Sequence, residues 1–153
     1  MSHPQPYESS VPFRPDRMQA VALYCSDGRF GVQVDDLLQQ RLLLPRYDRL
    51  AVPGGPACLA DHFATLREAE VMLSNLRFLV EVHDLQRVVL ITHENCAFYT
   101  HRLKIPPMQL RTQQHEDMSK AVQRTRELAS GMTVEAFFAH IKDDRVVFEA
   151  MEI

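Results

Sequence analysis

Three short apolar runs, each cut off by a polar turn or a histidine, constrain this chain more than any other feature of it. "MQAVALYC" (18–25) stops at "SDGR", "YDRLAV" (47–52) at "PGGP", and "RVVLIT" (87–92) at His93. Runs this short, apolar and rich in β-branched residues read as strands covered on both faces. The segments between them have helical spacing. "GVQVDDLLQQRLLL" (31–44) predicts one helix, stopped by Pro45. A longer one is predicted over roughly 57–83, where Leu59, Phe63, Leu66, Leu73, Leu76 and Val80 build one apolar stripe. After His93, "CAFYTHRL" predicts a short helix broken by Pro106 and Pro107, and 109–130 a polar-faced helix ended by Gly131. "VEAFFAHI", "KDD" and "RVVFEAMEI" predict a strand, a turn and a strand. Such alternation defines the α/β class: a mainly parallel central sheet of about four strands flanked by helices, with a C-terminal strand hairpin.

With 153 residues, 46% of them hydrophobic, the chain suffices for one domain with a real core. That domain is expected over residues 18–153. Residues 1–17, "MSHPQPYESSVPFRPDR", read as a flexible proline-rich arm. The arm has no apolar h-region and does not read as a secretory signal. No apolar run is long enough to cross a bilayer, which argues against a membrane protein. The net charge is -3 and no basic stripe appears, which argues against nucleic acid as a partner. Three cysteines, an odd number without an export signal, argue for reduced thiols and a cytoplasmic location.

The chemistry-bearing residues fall at strand ends. In sheets of this class, ligands gather at the carboxyl ends of the strands. Cys25 ends the first predicted strand, and His93 follows the third with Cys96 three positions on. Two cysteines and one histidine are an attested ligand set for catalytic zinc, with a fourth position open. In "CSDGR", Asp27 and Arg29 are spaced to pair across a tight turn that Gly28 eases. Arginine holds a carboxylate with two parallel hydrogen bonds and keeps it ionised. Such a carboxylate beside a metal can orient the metal's water, or occupy the fourth position itself.

C-x-D-x-R at one strand end, followed after a helix–strand–helix span by H-x-x-C at another, resembles the β-class carbonic anhydrases. The order of elements from about Met18 to Ile153, including "FFAHIKDDRVVFEA", is similar to that family's core. The resemblance implies zinc on Cys25, His93 and Cys96, and a dyad of Asp27 and Arg29. It implies reversible hydration of carbon dioxide to bicarbonate, in a homodimer or larger oligomer. Two alternatives stand beside it. One is hydrolysis of a carbon dioxide analogue, carbonyl sulfide or carbon disulfide, on the same site. The other is a non-catalytic zinc-binding scaffold or regulatory protein of the same fold.

Other residues carry weaker signals. His62, His101 and His115 are possible proton shuttles, although surface or half-buried histidines are the simpler reading. Cys58 begins a predicted helix, where a thiol can be acidified, but a packing role is expected. Glu94 is expected as a solvated loop carboxylate. A thiol phosphatase would place arginine six positions after its cysteine; Gly31 stands there instead, and Arg29 comes too early.

Overall fold

A computed structural model describes residues 3–153; Met1 and Ser2, the start of the expected arm, lie outside the described residues. Residues 3–18 form neither helix nor strand and are mostly exposed. Arg46 holds the end of this segment, donating to the Arg14 carbonyl and to Asp16, each at 3.0 Å.

Five strands form one sheet in the order β2-β1-β3-β4-β5. They are β1 (Ala20–Cys25), β2 (Asp48–Val52), β3 (Arg87–His93), β4 (Thr133–Lys142) and β5 (Arg145–Ala150). The first four run parallel and β5 returns antiparallel to β4, the hairpin expected from sequence. Period-two alternation sends β1 and β3 side chains to two cores. Val21, Leu23, Val88 and Leu90 pack on one face with Leu76 and Val80 of α2 (Leu66–His83) and Met118 and Val122 of α3 (Leu110–Arg126). Ala22, Tyr24, Val89 and Ile91 pack on the other with Val34 of α1 (Gly31–Asp36) and with Leu37 and Leu38. Leu23, Leu76 and Leu90 are fully buried, and each stabilises the fold by roughly 1.5–3 kcal/mol through apolar burial. Among the described residues no helix is long and apolar enough to cross a membrane.

The helix expected over 57–83 is a correction. The regular helix starts at Leu66; before it lie two short 3-10 turns, Gly55–Leu59 and Phe63–Thr65. All five residues of the first turn are buried, so it has no solvent face for a stripe to oppose. Between the turns, side chains are drawn to α3: Asp61 pairs with Arg124, and His62 with Asp117. Phe63, placed in the stripe by its spacing, is 92% exposed; Ala69, Met72, Leu76 and Val80 form the real buried face. The helix expected over 31–44 is shorter too. It relaxes into a wide π turn over Leu37–Arg41 and ends before Leu43, which has φ 56°.

The "PGGP" loop after β2 folds against the end of β1. Gly55 has φ +51°, and a Cβ there would lie 2.7 Å from the Tyr24 carbonyl carbon and 2.8 Å from the Cys25 nitrogen. Gly54 has φ +77°, and a Cβ there would strike Phe98 at 2.5 Å. Gly28 has an ordinary φ and nothing within 4 Å of a built Cβ. Gly55→Ala is therefore expected to lose about 1–3 kcal/mol in urea unfolding, from strain at a left-handed residue plus backbone collision. Gly28→Ala should stay within about 0.5 kcal/mol of wild type.

Candidate metal centre

The sheet changes winding direction between β1 and β3. β2 lies to one side of β1, while β3, β4 and β5 lie to the other. The carboxyl ends of two strands then diverge from their outgoing connections and leave a crevice, where ligands bind in open α/β sheets. Cys25 is the last residue of β1 and His93 the last of β3. Tyr24 pairs with Ile91, so the two strands finish almost level. Beyond His93 the chain reverses at Asn95, whose φ of 52° is a left-handed geometry that asparagine tolerates. The reversal brings Cys96 back to the strand end.

Three side chains converge there. The donor atoms of Cys25, His93 and Cys96 all lie within 4.8 Å of one another, and the two sulfurs are 4.0 Å apart. With zinc–sulfur bonds of about 2.3 Å, a tetrahedral ion holds two sulfurs about 3.8 Å apart, so the spacing fits. Asp27 is not part of this cluster.

The imidazole supplies the second test of fit. Nδ1 of His93 donates to the Glu94 carbonyl at 2.7 Å, which leaves Nε2 with the free lone pair. That Nε2 is buried and, among the described residues, meets no hydrogen-bond partner, its neighbour being the Cys25 sulfur. A buried polar atom without a partner is costly and asks for an explanation. A metal ion supplies one, and a backbone carbonyl on the far nitrogen is the usual support for a ligating histidine. The ring is fixed on one face by Phe30, centroid to centroid 4.3 Å.

The sulfurs are electronically unequal. The contact between the two sulfurs, in which either atom can donate, drives the Cys25 pKa down; burial opposes this, and His93 and the Asp27 and Gly54 amides add to the lowering. Cys96, on the other side of the same contact and buried, is pushed up. Of the two, Cys25 is the thiol that ionises more readily. Burial works most strongly against protonating His93, but the Cys25 sulfur, the Glu94 carbonyl and the Asp27 charge together outweigh it and the imidazole pKa rises. Acid thus competes with any metal for the same lone pairs.

Asp27 and Arg29 pair as their spacing predicts. The Arg29 guanidinium donates from Nε to Oδ1 at 3.0 Å and from Nη2 to Oδ2 at 2.6 Å, and its backbone N–H donates to Oδ1 at 3.1 Å. These bonds hold the Asp27 carboxyl at about 2, so it is ionised throughout the physiological range.

The remaining candidates lie elsewhere or are otherwise engaged. Cys58 is buried and donates to the Gly55 carbonyl at 3.0 Å; burial pushes its thiol up to about 12. His62 contacts the buried Asp117 at 2.6 Å. His101 and His115 are exposed. Glu94 accepts a hydrogen bond from the Ile141 amide. Phe30, Gly54 and Gly55 were not singled out by the sequence reading. The two glycines had a readable signal in "PGGP"; Phe30 had none, because one aromatic after a turn carries no periodicity.

An α/β domain with a switch-point cluster of two sulfurs and an imidazole is the class that fold and site define. Residues 16–149 match a family model described as "Putative carbonic anhydrase", and the chain belongs to that family. Solved structures with this fold include a β-carbonic anhydrase, isoform I, from Trichomonas vaginalis. It is 13% identical with a TM-score of 0.57, the match covering 92% of this chain and 87% of that one. The carbonic anhydrase from Glaciozyma antarctica is 13% identical with a TM-score of 0.57, over 91% of this chain and 85% of that one. The enzyme from Streptococcus mutans is 13% identical with a TM-score of 0.51, over 93% and 87%. No curated protein matches the chain by sequence.

Cysteine labelling checks the electrostatic picture. In chelator-treated protein at neutral pH, iodoacetamide should modify the half-buried Cys25 thiolate while Cys58 stays unmodified until denaturant is added. Mass spectrometry of the peptides reads both, and Cys58 labelled as fast as Cys25 would contradict the assignment.

Proposed function

We propose that the protein is a zinc-dependent carbonic anhydrase that interconverts carbon dioxide and bicarbonate. The observation that carries this reading is the orphaned, buried Nε2 of His93 facing two sulfurs, in a chain that belongs to a carbonic anhydrase family. Cys25, His93 and Cys96 would hold the ion. Bound there, zinc would lower the pKa of water toward about 7 and make a nucleophile available near neutral pH.

The other residues act around that nucleophile. Arg29 fixes the Asp27 carboxylate by a two-point pair and keeps it charged. An ionised carboxylate accepts a hydrogen bond from the attacking water and so sets where its lone pair points. Because Arg29 engages both oxygens, Asp27 is held back from becoming a fourth ligand. The "PGGP" loop and Phe98 pack beside Cys25 and wall the site on the β2 side.

Two further parts of the reading rest on separate observations. We propose a homodimer or larger assembly, because Leu66, Val71, Phe78 and Val82 leave apolar side chains exposed along α2. We propose a cytoplasmic location, because three unpaired cysteines suit a reducing compartment.

Metal analysis of purified protein, paired with stopped-flow hydration, tests the reading. One zinc per chain is expected in wild type, and Cys96→Ala should lose it. Asp27→Ala should keep its zinc and lose about 100-fold or more in kcat, the scale of a positioned proton acceptor. Zinc retained by wild type with turnover of carbonyl sulfide or carbon disulfide alone would move the assignment to the analogue hydrolase. Zinc with no turnover of any of these would leave a binding protein.

The pH profile gives a second check. Two thiolate ligands would place more negative charge on the ion than neutral imidazoles do, and so would raise the pKa of a water held there. Hydration should therefore climb from neutral into alkaline pH, and a profile flat from pH 6 to 9 would count against the ligand set.

A further inference from the structure

We propose that Gln114 is a positioning residue for the metal centre: its buried amide clamps the end of β3 so that His93 presents Nε2 to the two sulfurs. The inference rests on the metal reading given above and assigns a role to a residue outside the ligand set and the Asp27–Arg29 dyad.

Gln114 is 1% exposed on α3, a helix that also buries Leu110, Asp117, Met118, Ala121, Val122 and Thr125. A buried amide is costly unless its hydrogen bonds are made. This one spends its nitrogen on a single place: Nε2 donates to the His93 carbonyl at 2.7 Å and to Thr92 Oγ1 at 3.1 Å. The carbonyl partner fixes which way round the amide lies, because a carbonyl only accepts. Both contacts fall on the last two residues of β3.

That strand end needs an external hold. Pairing of β3 with β4 ends at His93 opposite Ala139. Past it the Ile141 amide turns to the Glu94 carboxylate, while the Glu94 amide reaches back to the Ala139 carbonyl. The His93 peptide therefore sits where the ladder gives out. The same peptide leads into Glu94, whose carbonyl anchors the imidazole Nδ1. If it rotates, the ring and its anchor move together. Phe30 restrains only the ring face. Gln114 ties the peptide to a rigid helix, and ligating geometry is lost over shifts of about 0.5 Å.

Cobalt(II) is the probe, since its visible spectrum reports ligand geometry without any assay of turnover. Its affinity is measured by chelator competition in wild type, Gln114→Leu and Met118→Ala. Gln114→Leu should bind cobalt about 10- to 100-fold more weakly, the usual range for support residues behind a ligand, with shifted ligand-field bands. Met118→Ala, one turn away in the same core, should lower the urea midpoint and leave cobalt affinity and spectrum as in wild type. Wild-type affinity and spectrum in Gln114→Leu would overturn the proposal. So would an equal loss in Met118→Ala, because metal binding would then merely follow global stability. Should Gln114→Leu not fold, Thr92→Val carries the test by removing one partner of the clamp. It should weaken cobalt a few-fold, and unchanged affinity overturns the proposal. Wild type that takes up no cobalt sinks this inference and the metal reading together. Cobalt held equally by wild type and Gln114→Leu sinks this inference alone.

Discussion

Parallel pairing of β1 with β3 is the constraint on which the rest depends. It brings Cys25 beside a histidine far along the chain, with the register of Tyr24 against Ile91 setting the two strand ends level. The pairing is driven by apolar burial rather than by the site. Val21, Leu23, Val88 and Leu90 on one face, and Ala22, Tyr24, Val89 and Ile91 on the other, leave β1 and β3 no alternative surface to bury. A one-residue slip would exchange the two faces and turn the cluster apart. The polar groups at the crevice are thus placed by side chains with no chemistry of their own.

The strands and the cluster were legible in the sequence for one reason. Apolar runs that stop abruptly mark both the strand and its end, and the residue at the stop is the one the crevice receives. Cys25 and His93 could be placed from this alone, and Asp27 and Arg29 from their spacing. The start of α2 could not. Leu59 and Phe63 fit the helical interval, yet one is fully buried and the other exposed, because Asp61 and His62 are pulled onto α3 between them. That pull acts between segments far apart in the chain and leaves no periodic trace. Gln114 is hidden for the same reason: in "QLRTQQHED" it resembles the polar residues around it, and only folding shows it facing inward.

The loop after β2 and helix α3 serve one end from opposite sides. Gly55 lets backbone press on backbone at the Tyr24–Cys25 peptide, while α3 holds the Thr92–His93 peptide through a side chain. Only the Gly54 amide also reaches a donor atom, the Cys25 sulfur. Both fix main chain, and the ligand geometry follows from where that main chain is held. Gly28, in the turn between Asp27 and Arg29, meets nothing. The dyad is correspondingly a local device, formed within three residues and solvated on its arginine side.

Cys25 and Cys96 stand 71 positions apart in the chain. An ion bridging them would close a ring through nearly half the polypeptide, and a disordered chain could hold it only by forfeiting the conformational freedom that such a ring forbids. Part of the ion's hold would then be entropic in origin, beyond the strength of its bonds. Thermal midpoint and free-metal concentration would become a single linked variable, so heating curves recorded in buffers of graded chelation would act as a titration.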